Sequence, residues 1–166
     1  RPTAYSILTG YAANILQNQP VKIGTNGTIQ AAAIGDRFIG TFQGVEFTDT
    51  DGRRRVSNKW TASLAATEIV AYVTLDPSIV YEIQANGSII VTDIGKQADF
   101  TVITAGSTTT GLSAMMLDTA TLTDSGNASL RIIGLSPAPD NDFGDSFTIV
   151  QVQISEHQNV ADRAAY

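Results

Sequence analysis

Ile23-Gly24-Thr25-Asn26-Gly27-Thr28-Ile29, followed by Ile34-Gly35, recurs sixty residues later as Ile83-Gln84-Ala85-Asn86-Gly87-Ser88-Ile89, followed by Ile94-Gly95. The shared pattern is I-x-x-N-G-[TS]-I-x-x-x-x-I-G, with seven matching positions when Thr28 and Ser88 count as equivalent. In each copy Asn-Gly stands between β-formers. A type I′ hairpin turn needs positive φ at both central residues, which Asn and Gly tolerate best. The phrase therefore predicts two related hairpins, within 21–40 and 81–100, in an all-β body. Two copies fall short of a solenoid. Duplication and convergent hairpin design both account for them.

Outward from the first copy, Phe38 to Phe47 reads as a long strand whose phase slips at Gly44, the signature of a bulge. Asp49-Thr50-Asp51-Gly52 is a second hairpin turn. Arg53 to Trp60 reads as its return strand, with Arg54, Val56, Asn58 and Trp60 on one face. Glu68 to Leu75 is an apolar strand stopped by Asp76-Pro77, because proline lacks a donor and restricts the residue before it. Thr101-Val102-Ile103 and Ala114 to Asp118 read as strands around a Gly106-to-Gly111 loop. Leu130 to Leu135 and Phe147 to Ile154 complete the set. In the last, Val150, Val152 and Ile154 share a face opposite Gln151 and Gln153. Helix is nearly absent.

The domain reading is an N-terminal arm at 1–19, a compact barrel- or sandwich-like body of antiparallel hairpins at 20–155, and a polar tail at 156–166. Tyr5 to Ala12 is apolar without a clean period. It is either a strand closing the body's own sheet or an extended arm reaching a neighbouring subunit. The chain opens on Arg1-Pro2, so a processed start is an open alternative.

The 166 residues include no cysteine, which excludes disulfides and thiolate chemistry. Charged residues make up 16% and hydrophobic residues 43%, so the surface is polar but weakly charged and the chain is not of the disordered class. A net charge of −6 speaks against a general nucleic-acid binder. No apolar run reaches membrane-spanning length. A sole histidine, His157, sits near a polar terminus and makes a poor triad member. No G-x-S-x-G, P-loop or H-E-x-x-H is present. Asp140-Asn141-Asp142-Phe143-Gly144-Asp145 fails as an EF-type calcium loop, since Gly144 and Asp145 exchange the required order and no Glu stands at position 12. It reads as a solvated turn. Asp49, Asp51 and Glu46 read as turn and surface acids before they read as a glycosidase pair. Asn26, Asn86 and Asn127 fit the N-x-[ST] pattern, and the first two are already explained as turns. No catalytic, cofactor or metal residue emerges.

Interaction chemistry is the remaining prospect. Arg53-Arg54-Arg55 with Lys59 and Trp60 combine residue types enriched in interface hot spots. The alternative is a solvated edge strand whose charges discourage aggregation. Tyr5, Ile7, Leu8 and Tyr11 of the arm join them as candidate contacts.

A resemblance sharpens this. Gly10-Tyr11-Ala12, Gln19-Pro20-Val21-Lys22-Ile23-Gly24-Thr25-Asn26-Gly27-Thr28-Ile29, Ala31-Ala32-Ala33, Gly35-Asp36 and Phe38-Ile39-Gly40-Thr41-Phe42-Gln43-Gly44-Val45 resemble the N-terminal phrase of tailed-bacteriophage capsid cement, or head decoration, proteins. That phrase runs G-Q-P-V-K-I, D/N-G-x-I, A-A-G-D-x-F-I-G-V. Asn18-Gln19 stands here where Gly-Gln is usual. Tyr72 to Pro77 and Pro139 to Asp145 are similar to segments of podophage members. The resemblance implies a non-enzymatic virion protein on the outer surface of the capsid, bridging neighbouring major capsid proteins. It further implies self-association, a trimer being favoured over a dimer, with no cofactor and no direct contact with nucleic acid or membrane. The rival expectation is a tail- or fibre-associated β module that binds host glycans.

Overall fold

The computed structural model describes residues 2–101 and 106–161. Its strands are β1 (Thr3–Tyr5), β2 (Pro20–Ile23), β3 (Ile29–Ala31), β4 (Gly40–Thr48), β5 (Arg54–Ser57) and β6 (Thr67–Val73), then β7 (Tyr81–Gln84), β8 (Gln97–Ala98), β9 (Gly106–Ser107), β10 (Leu112–Ser113), β11 (Leu130–Leu135) and β12 (Ile149–Ile154). Among the described residues helix is confined to short 3-10 turns at Val91–Asp93 and Thr119–Thr121. The fold is all-β, and its paired strands run antiparallel. The expected single body is instead two compact units. Unit 1 draws on 1–32, 38–76 and 103–114, and unit 2 on 33–37, 77–102 and 115–166. Of the crossings between them only Asp76-Pro77 carries a breaker in the sequence, so the division leaves no linker to read.

In unit 1 the strand path is β1-β6-β4-β2-β3, with β5 off the path on β4. The path curls until its two ends meet, for the Ile29 amide donates to the Ser6 carbonyl just beyond β1 (2.8 Å). The Ala31 amide, also on β3, donates to Tyr11 Oη (3.1 Å). Closure of this kind removes the open edges that a flat sheet would present. Ile7, Ile15, Val21, Ile29, Ile39, Phe42, Val45, Phe47, Trp60, Ala71 and Val73 fill the interior. The extended arm at 1–19 is therefore corrected. Its described residues supply strand β1, the closing hydrogen bonds and the core side chains of Ile7 and Ile15. The closing-strand alternative holds because Thr3–Tyr5 pairs with β6 of its own chain and the Ser6 carbonyl accepts from Ile29, while of Tyr5 to Ala12 only Ile7 is buried.

The Asn26-Gly27 hairpin forms as β2–β3, with a different turn. Ile23 pairs with Ile29, the Gly24 amide donates to the Thr28 carbonyl (2.9 Å), and the Gly27 amide donates to the Gly24 carbonyl (2.9 Å). Gly27 alone has positive φ (+76°), so the loop is a three-residue type I turn closed by a left-handed glycine and not type I′. Asp49 to Arg53 repeats this geometry between β4 and β5. The Gly52 amide donates to the Asp49 carbonyl (2.9 Å), Gly52 has φ +79°, and Asp51 Oδ1 accepts from the Arg53 amide (2.9 Å). The bulge expected at Gly44 is present as a register shift between Phe42 and Gly44 against β6.

Unit 2 is a four-stranded sheet of order β7-β12-β11-β8. Val150, Val152 and Ile154 of β12 are buried with Leu130 and Ile132 of β11, while Gln151 and Gln153 are only half-buried, as the alternation requires. Here the second Asn-Gly hairpin is corrected. β7 pairs with β12, the element that follows Gly87 is the 3-10 turn Val91–Asp93 and not a return strand, and Gly87 lacks the positive φ of its counterpart. Asn86 bonds across the chain instead: its Oδ1 accepts from the Thr119 amide (2.9 Å) and its Nδ2 donates to Asp118 (3.1 Å). What the two copies do share is the Ile-Gly end. Asp93-Ile94-Gly95-Lys96 is a type II turn, with Ile94 at φ −61°, ψ 127° and Gly95 at φ +90°. Ala33-Ile34-Gly35-Asp36 closes with the same i to i+3 bond (3.0 Å) and Gly35 at φ +81°.

The strands expected around Gly106 to Gly111 are also redistributed. β9 and β10 make a small hairpin from the loop itself. Leu117 lies in isolated bridges to Ala85 and Phe100, and Val102 and Ile103 fall outside the described residues. The tail begins packed: His157 is buried, and its Nδ1 accepts from the Asn159 amide (3.1 Å). The rest of the tail, from 162 on, lies outside the described residues.

Candidate interaction surface

The surface that the arginines decorate is the β4–β5 hairpin. Register follows from its turn: Thr48 opposes Arg54, Phe47 opposes Arg55 and Glu46 opposes Val56. β4 is buried along its inner face, but Arg54, Arg55 and Val56 are all exposed, so β5 rides beyond the core.

Each guanidinium meets an acid of the same hairpin. Arg54 reaches Glu46 (3.2 Å), and its Nη1 donates to the Glu68 carbonyl (2.6 Å). Arg55 bridges Asp49 (2.6 Å) and Asp51 (3.0 Å), while Arg53 reaches Asp51 at 3.8 Å. Tyr72 on β6 donates its hydroxyl to Glu46 (2.9 Å). That bond first, and the Arg54 guanidinium second, hold the Glu46 carboxyl below the usual glutamate range, and the same bond pushes the Tyr72 phenol up. The Thr50 amide, with Arg55 behind it, lowers Asp49. Exposed pairs of this sort contribute little to stability singly. Their effect is on the surface: three arginines and three acids leave the hairpin electrically balanced despite its run of three arginines.

The signs set a pH dependence. A carboxyl lowered by folding stabilises the native state above about pH 5, and that contribution is lost as pH falls through its folded pKa. The melting-temperature gap between wild type and Glu46→Gln is expected to be present at pH 7 and to close toward pH 3. A gap that widens on acidification would contradict the assignment.

Two candidate contacts are corrected. Trp60 is fully buried, because β5 ends at Ser57 and the chain turns inward, where Trp60 and Ile15 exchange backbone hydrogen bonds (2.8 and 3.1 Å). Its ring packs edge-on against Phe47, with centroids 6.1 Å apart. Ile7 is likewise core. Extending the strand period from Arg54 to Trp60 fails because the period ends with the strand. Lys59 Nζ donates to the Thr108 carbonyl, and the neighbouring Asn58 Nδ2 donates to the Thr110 carbonyl (2.9 Å), tying this segment to the β9–β10 loop. Tyr5 and Tyr11 are half-buried, and Leu8 is exposed. In the sequence Glu46, Asp49 and Asp51 read only as turn and surface acids, not as partners of the arginines, and Val56 reads as one residue of a strand face without its exposure, which is 80%. The Asp49–Gly52 turn held the signal, since it fixes which acids stand across from or diagonal to each arginine.

Among the described residues no group of three acidic or histidine side chains is placed to hold a metal ion. In the Asp140–Asp145 loop, Asn141 is spent on the Ser136 and Ile149 backbone, and Asp145 accepts from the Asp142 amide (2.8 Å). No family model, curated protein or solved structure matches this chain.

Proposed function

We propose that the chain is a non-enzymatic structural protein that decorates the outer surface of a phage capsid and bridges neighbouring major capsid proteins. One observation carries the reading. The stretch that resembles cement proteins, Gln19 to Val45, is the stretch that builds β2, β3 and the first half of β4, and β4 then runs directly out into the exposed β4–β5 hairpin. The phrase is thus the framework that presents a contact surface. A shell under outward pressure from packed DNA is held by clamps across its seams, and many copies make weak single contacts sufficient. A closed β unit whose surface charges are held by their own partners suits that load.

The test is direct. Purified protein is mixed with expanded capsids that lack it, and bound protein and the temperature of shell rupture are measured. Saturable binding with a raised rupture temperature is expected. Absence of saturable binding to the native host shell overturns the reading, and binding to host glycans in its place would favour a tail or fibre module.

A further inference from the structure

β5 is the strand of the six-stranded sheet of unit 1 that closure leaves out. The two ends of the main path are joined through Ser6, Ile29, Tyr11 and Ala31, whereas β5 pairs with β4 alone. The direction of its free groups follows from the turn. The Asp49 amide donates to the Arg53 carbonyl, so the backbone of Arg53, and by alternation of Arg55 and Ser57, faces β4. The N–H and C=O of Arg54 and Val56 face away, onto an exposed edge. Proteins usually guard such an edge with charge. Here the guard is cancelled, because Arg53, Arg54 and Arg55 are matched by Asp51, Glu46, Asp49 and Asp51 again within the same hairpin.

We propose that this edge is a self-association site, where β5 pairs antiparallel with β5 of a second copy about a two-fold axis through Val56. The register is selected by chemistry. Only outward-facing residues can oppose one another through hydrogen bonds, which allows centres at 54, 55, 56 or 57, and the last is set aside because it opposes Val56 to Asn58, beyond the end of β5. A centre at 54 sets Arg54 against itself, and a centre at 55 sets Arg55 against itself, each a like-charge pair directly opposed. A centre at 56 sets Val56, the most exposed large hydrophobic side chain among the described residues, against its own copy and places Arg55 opposite Ser57. Balanced charge on the hairpin lets two identical surfaces approach, and the isologous contact is a dimer. Four residues bury much less than the roughly 1,200 Å² of a stable interface, so association is weak in dilute solution. The site stands independently of the shell-binding reading.

Two variants of the full chain test it. Val56→Pro removes the outward donor while leaving the β4–β5 ladder, whose bonds come from Arg55 and Ser57. Sedimentation velocity to about 1 mM protein is expected to show reversible dimer in the wild type and an association at least about tenfold weaker in V56P, with an unchanged melting temperature. The chain has no cysteine, so Val56→Cys gives a clean cross-link: opposed Cα atoms in a hydrogen-bonded pair lie about 5.5 Å apart, within disulfide reach. Oxidised V56C is expected to run as a covalent dimer and Ser57→Cys as a monomer. This second readout stands even where proline disturbs folding. A wild type that stays monomeric with V56C and S57C cross-linking equally slowly overturns the proposal. So does association that V56P leaves untouched. A monomeric wild type whose shell binding V56P abolishes would overturn self-pairing and assign the edge to a shell partner.

Discussion

Trp60→Ala is expected to destabilise unit 1 by about 3–5 kcal/mol, the range for deleting a buried large aromatic side chain. At this chain length that lowers the melting temperature by roughly 10 °C. The side chain is fully enclosed, stacked edge-on against Phe47, with Nε1 donating to the Tyr11 carbonyl (3.4 Å). Alanine leaves a cavity between Ile15 and Phe47, while the Tyr11 carbonyl keeps the Ser63 amide as a donor (2.7 Å), so the loss is one of packing. As this is the sole tryptophan, its fluorescence reports the same event: blue-shifted emission in the native chain that moves to the red when unit 1 opens. Trp60→Phe is expected to recover a large part of the loss. An alanine variant that melts like wild type but binds a partner poorly would return Trp60 to the surface role that its neighbouring arginines suggested.

Gly40→Ala is the second large effect, on the order of 3–5 kcal/mol or outright failure to fold. A Cβ on Gly40 would lie 1.5 Å from the Thr74 carbonyl oxygen, and the colliding atom is backbone. The approach cannot relax cheaply. Thr41 and Thr74 lock the same crossing through the Thr41 amide to Thr74 Oγ1 (3.1 Å), the Thr74 amide to the Thr41 carbonyl (3.0 Å) and their two hydroxyls (2.7 Å). On the other side Gly40 pairs with Val21 of β2. Gly27→Ala is the control. Its Cβ meets nothing within 4 Å, so only the left-handed backbone is charged, about 1–2 kcal/mol. Urea titration of both variants gives the ranking, and a Gly27 variant weaker than the Gly40 variant would contradict it.

These two glycines show what local chemistry can and cannot announce. Asn26-Gly27 is conspicuous in the chain, and a turn forms there. Gly40 looks like any strand glycine, yet the carbonyl that demands it comes from Thr74, more than thirty residues on. Asn86-Gly87 carries the same letters as Asn26-Gly27 and makes no hairpin, because Asp118 and Thr119 compete for Asn86 and β12 takes β7. The interaction surface divides in the same way. Its arginines and its Asp-Gly turn were legible. The acids that neutralise them were visible as letters but not as partners until register was followed across the turn.

The sequence by itself determined the all-β class, the positions of β4, β6, β11 and β12, the bulge at Gly44 and the turn at Asp49 to Gly52. All of these depend on alternation and turn chemistry within a few residues. Tertiary structure alone decided that the apolar N-terminal run closes a sheet, that Ile7 and Trp60 are core, and that the described chain packs as two units. Each of these turns on what arrives from a distant segment: Ser6 on Ile29, Ile15 on Trp60, Thr74 on Gly40. Burial is a property of the assembled neighbours, and one strand's period ends where the strand does. β5 shows both sides, being a strand that its own residues specify and an exposed edge that only the closure of its neighbours leaves open.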